Sequence, residues 1–140
     1  NIDGLHQAAG SVNVIELHGS VMRNYCVRCG RRYPLAYITE STGVPRCEAC
    51  GALVRPDVVL YGECLDGEAW SRAEEAISAA DVLIVGGTSL TVQPAASLVG
   101  LYEGDHLIII NKTPTPYDGY AETVIRDPIE DVLESVVERL

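Results

Sequence analysis

Two Cys-x-x-Cys pairs constrain this chain more than any other feature. Cys26-Val27-Arg28-Cys29 and Cys47-Glu48-Ala49-Cys50 are each followed by glycine, Gly30 and Gly51, and seventeen residues separate Cys29 from Cys47. In each pair the turn aims two thiolates at one point, and the glycine permits the backbone conformation that donates amides to sulfur. Four thiolates complete a tetrahedron around one zinc ion and leave no position for water or substrate, so the predicted site is structural rather than catalytic. Two disulfides or redox pairs are the competing reading. Five cysteines is an odd number, and the opening Asn1-Ile2-Asp3-Gly4 reads as neither a signal nor a transit peptide. Metal and a reducing compartment are therefore expected, with a cytoplasmic location. Cys64 stands outside both pairs, beside Glu63 and Asp66, and reads as a small, semi-buried side chain rather than a nucleophile.

The rest of the chain sorts around that module. Residues 1–19 read as loop and short helix, ending in a strand-like apolar run (Val12, Val14, Ile15, Leu17) that delivers His18 and Gly19. Residues 20–56, rich in Cys, Arg, Gly and Pro, form the loop-rich zinc-binding module. Regular structure is predicted across residues 57–140: a strand from Asp57 to Tyr61 and a helix from Gly67 to Ala80. Asp81 to Gly87 is a continuous apolar run closed by glycines, as in a strand buried on both faces. A helix from Pro94 to Tyr102 and a second apolar strand from His106 to Asn111 follow, completing one strand–helix–strand unit of about 30 residues. A short strand from Glu122 to Ile125 and a closing helix from Pro128 to Leu140 end the chain. Ile129, Val132, Leu133, Val136, Val137 and Leu140 recur there at helical spacing. The fold class is α/β, a parallel-sheet domain of too few strands to be whole, with the four-cysteine zinc module inserted.

Charge limits the choice of partners. Twenty acids against ten bases give −10, which repels nucleic acid phosphates over most of the surface. Residues 20–56 are the exception, with six arginines (Arg23, Arg28, Arg31, Arg32, Arg46, Arg55) against Glu40 and Glu48, whereas residues 66–140 carry 14 acids and four bases. No apolar run approaches the roughly 20 residues of a membrane helix, so neither a membrane nor a nucleic acid is an expected partner.

Two groups of polar residues point to chemistry. Gly86-Gly87-Thr88-Ser89 follows an apolar strand and leads toward a helix, where glycines let a ligand approach the backbone and hydroxyls meet phosphate or ribose oxygens. Asn111 ends the next strand at the same carboxyl edge, where open α/β sheets bind ligands. Together they suggest a nucleotide. His18, at the end of an apolar run and directly before a glycine, is the best general-base candidate of three histidines. Asn1 and Asp3 form a polar pair on a loop.

At this point the residues resemble the sirtuin family, the NAD-dependent protein lysine deacylases. The motifs stand in the family's order: Asn1-Ile2-Asp3, Glu16-Leu17-His18-Gly19, the two cysteine pairs, Val58-Val59-Leu60-Tyr61-Gly62-Glu63, Gly87-Thr88-Ser89-Leu90-Thr91-Val92-Gln93-Pro94 and Ile110-Asn111-Lys112. The resemblance covers essentially the entire chain. It implies that these residues are roughly the C-terminal 60% of a sirtuin catalytic domain, the second half of a Rossmann-like domain. The family's Gly-Ala-Gly-Ile-Ser and Pro-Asp-Phe-Arg segments do not occur in it.

The resemblance also implies roles. His18 would be the general base acting on the nicotinamide ribose, with Asn1 and Asp3 lining the nicotinamide pocket. Gly87, Thr88 and Ser89 would contact NAD phosphate and ribose oxygens, Asn111, with Lys112 beside it, the adenosine ribose, and Ile129 the adenine. There the sequence reads Arg126-Asp127-Pro128-Ile129 in place of the family's commoner Gly-Asp pattern. Val59, Leu60, Tyr61, Gly62 and Glu63 on one side, and Leu90, Thr91 and Val92 on the other, would hold an acyl-lysine peptide as an added strand. Tyr61 replaces the more usual phenylalanine. The implied reaction yields nicotinamide, free lysine and O-acyl-ADP-ribose. Three alternatives stand beside it: a sirtuin-like ADP-ribosyltransferase or non-acetyl deacylase, a non-catalytic zinc-bearing module whose arginines dock nucleic acid or an acidic protein, and a piece inactive by itself.

Overall fold

Residues 1–140 are all described by the computed structural model, and they divide into two units, Asn1–Trp70 and Ser71–Leu140. In the first unit, a short helix α1 (Leu5–Ala8) precedes strand β1 (Gly19–Cys26), which pairs antiparallel with both β2 (Arg32–Pro34) and β3 (Val54–Val58). The order is β2-β1-β3. Pro34 closes the edge strand β2, where the missing N–H costs no ladder bond, and leads into helix α2 (Leu35–Thr39). The core here is small: Cys26, Tyr33, Cys47 and Val54, with Tyr37, Ile38, Cys50 and Ala52 packed against it.

Three expectations for this unit are corrected. The apolar run from Val12 to Leu17 is not a strand; the strand begins only at Gly19, and Val12 is 91% exposed. The strand expected from Asp57 to Tyr61 instead spans Val54–Val58. It stops because Leu60 N–H donates to the Glu63 carboxylate at 2.9 Å and Glu63 N–H to the Leu60 carbonyl at 3.0 Å, with Gly62 at φ 85°. That closes a turn where the sequence suggested extended chain. The module is also less loop-like than its composition suggested, because three strands run through it.

Helix α3 (Gly67–Ser78) is capped by the Asp66 carboxylate, which accepts the Ala69 N–H at 2.8 Å. In the second unit, β4 (Val82–Gly86), β5 (His106–Ile110) and β6 (Thr123–Ile125) form a parallel sheet in that order. Ile109 is fully buried at its centre, in a core with Val85, Leu90, Ala96, Val99 and Leu107. The β4–β5 crossover is a 3₁₀ helix (Ala95–Leu101), not the α-helix expected from Pro94 to Tyr102. Both the Ser97 amide, at 2.9 Å, and its hydroxyl, at 2.7 Å, bond the Pro94 carbonyl, which tightens the turn to three-residue spacing.

Within these 140 residues strand β4 is covered on one face only, since Val82 and Ile84 are 48% and 51% exposed. Closing helix α4 (Ile129–Val137) is shorter than expected. Arg139 and Leu140 N–H reach back three residues to Val136 and Val137 carbonyls, so its last turn leaves α geometry. No helix is long and apolar enough to cross a membrane.

Candidate functional site

The four cysteines of the two pairs converge. Their sulfurs all lie within 4.8 Å of one another, with Cys26–Cys50 at 3.4 Å, Cys29–Cys47 at 3.5 Å and Cys29–Cys50 at 3.6 Å. A tetrahedron with zinc–sulfur bonds of about 2.3 Å has edges of roughly 3.8 Å, so the cluster fits one structural zinc ion. No disulfide joins any of the five cysteines, and Cys64, expected to be semi-buried, is exposed because it follows the Leu60–Glu63 turn outside either core. In the first pair the Arg28 and Cys29 amides donate to Cys26 Sγ at 3.4 and 3.5 Å. Gly30 and Gly51, at φ 70° and 71°, close the two turns as the sequence required.

The thiols are not equivalent. The Tyr33 hydroxyl donates to Cys47 Sγ at 3.2 Å and brings that thiol down to about 6, against the opposing effect of burial. The Cys29 amide does the same for Cys26, in the same direction. For Cys29, the Arg31 amide pulls down, but the sulfurs of Cys26 and Cys47 outweigh it and push the thiol up to about 11. Metal binding therefore displaces protons held unequally across the cluster.

His18 lies one residue before β1, in a turn whose shape is set by its neighbour. Gly19 has φ 74°, and a Cβ there would overlap the Asp57 carbonyl oxygen of β3. The close approach brings the His18 carbonyl to the Val59 N–H at 3.0 Å. The general-base candidate and the start of the Val59–Glu63 segment are thus backbone neighbours. On the other side, Val21 N–H donates to the Ile2 carbonyl at 2.9 Å, which ties Asn1-Ile2-Asp3 to the start of β1. Asp3 Oδ1 accepts the Leu5 N–H at 2.9 Å. Asn1 lines a cavity of ≈ 250 Å³ with His6, Ser11, Asn13, Val14, Ile15 and Glu16.

In the Val59–Glu63 segment, Tyr61 is fully exposed and Leu60 largely so. The segment is braced by Arg55, whose guanidinium meets both Glu63 carboxylate oxygens, at 2.5 and 2.9 Å, and the Val58 carbonyl at 2.7 Å. That contact with Arg55, aided by the Leu60 amide, holds the Glu63 carboxyl down at about 2.

The second unit places its polar residues at the carboxyl ends of β4 and β5. Gly87, at φ 62°, donates N–H to the Ile110 carbonyl at 3.0 Å and has open space where a Cβ would be. Thr88 Oγ1 accepts the Leu90 N–H at 3.2 Å, and Ser89 Oγ meets Thr91 Oγ1 at 2.8 Å. Leu90 is left-handed at φ 53° and buried, whereas Thr91 and Val92 are exposed. Asn111 donates to the Thr113 carbonyl at 2.8 Å, Lys112 is exposed, and the Ile129 side chain lies over Gly86, where any Cβ would strike it. These residues gather an unobstructed glycine backbone, three hydroxyls and an amide at the carboxyl ends of β4 and β5.

Sequence reasoning missed the supporting residues. Arg126 donates to the Asn111 carbonyl at 2.9 Å and the Thr113 carbonyl at 3.1 Å and pairs with Asp118, fixing the loop after β5. Arg23 joins Glu16, at 2.5 Å, to Asp57, at 3.0 Å, and its contact lowers the Glu16 carboxyl. Nothing in local sequence marks these contacts, because they depend on sheet register and loop path.

A family model described as the Sir2 family matches residues 1–94. The chain belongs to the Sir2 family. It is 56% identical over 138 residues to an NAD-dependent protein deacetylase of Clostridium acetobutylicum, covering 98% of this chain and 56% of that protein. With an NAD-dependent protein deacetylase of Clostridium perfringens the identity is again 56%, over 99% of this chain and 57% of the relative. The chain thus spans little more than half the length of these Sir2-family relatives. Among solved structures, a Sir2 with p53 peptide and NAD⁺ superposes with a TM-score of 0.92 at 41% identity, over 99% of this chain and 60% of the other. A Sir2 holding the inhibitor EX-527, 2′-O-acetyl-ADP-ribose and deacetylated p53 peptide gives 0.92 at 40% identity, over 99% and 61%. The Rossmann-like α/β fold with a zinc-fit four-cysteine insert is that of the Sir2 family.

Proposed function

We propose that this chain is the zinc-bearing, C-terminal part of an NAD-dependent protein lysine deacetylase, divided functionally as a catalytic loop region (1–19), a zinc module (20–56) and an NAD-binding part (57–140). The observation that carries the reading is the hydrogen bond from Val59 N–H to the His18 carbonyl, which couples the general-base candidate to the peptide-holding segment. The names of the Sir2 relatives, and the peptide, NAD⁺ and acetyl-ADP-ribose in the neighbouring structures, support the substrate class.

In this reading NAD, when bound, supplies the electrophilic ribose carbon and the nicotinamide leaving group. In the first unit, His18 takes a proton from a ribose hydroxyl, and Asn1 and Asp3 orient the nicotinamide end, the Asp3 carboxylate offsetting developing positive charge. Val59, Leu60, Tyr61, Gly62 and Glu63 offer one edge to the peptide backbone, held in shape by Arg55. Leu90, Thr91 and Val92 are the candidate peptide residues of the second unit. Gly87, Thr88 and Ser89 hold phosphate and ribose oxygens, Asn111 and Lys112 the adenosine ribose, and Ile129 the adenine side. The partner is an acylated-lysine protein or peptide. Neither a nucleic acid nor a membrane is required, in keeping with net charge −10. Four cysteines placed to hold zinc as thiolates suit a reducing compartment such as the cytoplasm.

The test is turnover of NAD and an acetyl-lysine peptide, followed through nicotinamide and deacetylated peptide, in a protein carrying these residues together with the N-terminal portion of a Sir2 relative. His18→Ala should lower turnover roughly 100-fold or more while peptide binding persists. Unchanged turnover in the variant would remove His18 from the mechanism. No turnover in the parent would remove the enzyme reading. The 140-residue chain by itself is expected to be inactive.

A further inference from the structure

The two cysteine pairs look alike in sequence, but their surroundings differ. The first pair is supported at sulfur by its own backbone amides. The second is gripped from outside at nearly every residue. Tyr37, on α2, donates its hydroxyl to the Arg46 carbonyl at 2.6 Å. Tyr33, on β2, donates to Cys47 Sγ at 3.2 Å and accepts the Glu48 N–H at 3.0 Å. Arg28 reaches across from the first pair to the Cys50 carbonyl, and Arg46 donates to the Gly51 carbonyl at 3.1 Å. The two tyrosine rings pack at 4.3 Å between centroids, tilted by 34°. Each pair has one buried sulfur, Cys26 and Cys47, and one more open, Cys50 half-buried and Cys29 exposed; Tyr33, itself buried, covers Cys47.

We propose that Tyr33 is a positioning residue of the metal centre, its hydroxyl fixing and partly neutralising the Cys47 sulfur so that the second cysteine pair is the preset half of the zinc site. Four thiolates around one divalent cation leave a net charge of −2 on the cluster. A donor aimed at one sulfur withdraws charge from it, lowers the energy of its lone pairs and reduces its nucleophilicity. The same hydroxyl accepts an amide of the turn that carries Cys47, so one side chain sets both the sulfur and its backbone. Arg28 and Arg46 bring two cations to that turn by way of its carbonyls, which offsets the same charge. The metal therefore meets an ordered half-site at Cys47 and Cys50, and exchange starts at the exposed Cys29. This inference rests on the zinc reading of the cysteines and is independent of the deacetylase reading.

Tyr33→Phe keeps the ring, its packing on Tyr37 and the buried volume, and deletes only the hydroxyl. In the cobalt-substituted protein, loss of the hydrogen bond raises the energy of the Cys47 lone pairs, so the thiolate-to-cobalt charge-transfer band should move to longer wavelength. Zinc transfer to a chromogenic chelator should quicken by about 10-fold or more, the scale of outer-shell losses at metal sites. Tyr37→Phe, which touches no sulfur, should leave the cobalt band in place. As a check needing no variant, the ¹¹³Cd-loaded parent protein should show a slowly exchanging Tyr33 hydroxyl proton coupled to cadmium. An unshifted band with an unchanged transfer rate in Tyr33→Phe would overturn the proposal, and so would absence of that coupling. A parent protein that gives no cobalt–thiolate band would overturn the zinc reading itself, whatever the outcome for deacetylation.

Discussion

A side chain at Gly19 would collide with the Asp57 carbonyl oxygen, and the backbone there sits at φ 74°, a region L-residues occupy only with strain. Both effects oppose any substitution, because relief of one moves β1 away from β3. Gly19→Ala should therefore destabilise the first unit by about 2–4 kcal/mol, read as a lower urea midpoint for its tyrosine signal. An unchanged midpoint would mean that the His18 turn is not held by β3. Glu63 makes a second residue-scale case. Its carboxyl is held at about 2 by Arg55 and the Leu60 amide, below the ordinary 4.5. A depressed folded-state value gives a contribution that is complete above the unfolded value and lost as pH falls through the folded one. The Leu60–Glu63 turn should thus survive to about pH 4.5 and loosen between there and about pH 2, visible in the amide resonance of Leu60. Glu63→Gln should loosen it at neutral pH. At this scale the cysteine cluster and the glycine turn beside His18 were legible, because thiolate spacing and a glycine's backbone act locally. The partners Arg55–Glu63 and Tyr33–Cys47 were not, since sheet register and loop path, rather than neighbouring sequence, decide who meets whom.

Each unit has its own core, and only the core of the first includes metal ligands: Cys26 and Cys47 sit with Tyr33 and Val54, and Cys50 packs against them. Without metal, that cluster holds four thiols close together, two of them buried, around no cation, and few large apolar side chains remain to hold β2, β1 and β3. Stripping zinc with a strong chelator under reducing conditions should therefore open amides from β1 to β3 to hydrogen exchange, while β5, with Ile109 fully buried, stays protected. Equal protection with and without metal would show that the module folds on its apolar residues alone. In the other sheet, His106 Nδ1 and Glu122 Oε2 lie 2.9 Å apart near the starts of β5 and β6, and the pair raises the histidine's pKa. A raised folded-state value gives stability that is full below the unfolded 6.5 and fades as pH rises through the folded value. The effect is small because both side chains are more than half exposed, and His106→Gln should abolish that pH dependence of the β5–β6 amides. The continuous apolar runs of β4 and β5 declared these strands in the sequence, although the two-faced burial such a run implies is approached by β5 and not by β4, whose Val82 and Ile84 are half exposed. The strands of the zinc module did not. Cysteine, arginine and asparagine break their alternation, and the cysteine cluster supplies what apolar periodicity supplies elsewhere. The 3₁₀ crossover escaped for a similar reason, since Pro94 to Tyr102 has helical composition and only the double use of the Pro94 carbonyl by Ser97 tightens it.

Two opposing properties are expected to govern these 140 residues, taken by themselves, in solution. Val82 and Ile84 leave about half their surface open on the outermost strand of the β4–β5–β6 sheet, and Val136 and Val137 are exposed at the end of α4. An apolar, uncharged edge strand is a template for pairing with another chain. Against this stands a net charge of −10, which makes copies repel one another. Repulsion between exposed charges reaches about 30 Å at 0.01 M salt but only about 3 Å at 1 M, whereas apolar contact does not weaken with salt. Attraction should therefore win as ionic strength rises: monomeric at low salt, the chain should self-associate between roughly 0.1 and 1 M sodium chloride, as followed by sedimentation velocity. Replacing Val82 and Ile84 together with threonine keeps β-branched residues in the strand and removes the apolar stripe. Because both positions are half exposed, that change should cost no more than about 1–2 kcal/mol of stability and should move the onset of association to higher salt. Association with the same salt profile in the double variant would place the contact elsewhere, with the end of α4 as the next surface to change. Association that weakens with salt would mean that the arginines of residues 20–56 and the acids of residues 66–140 attract one another between copies, so that charge pattern rather than the open strand sets the oligomeric state.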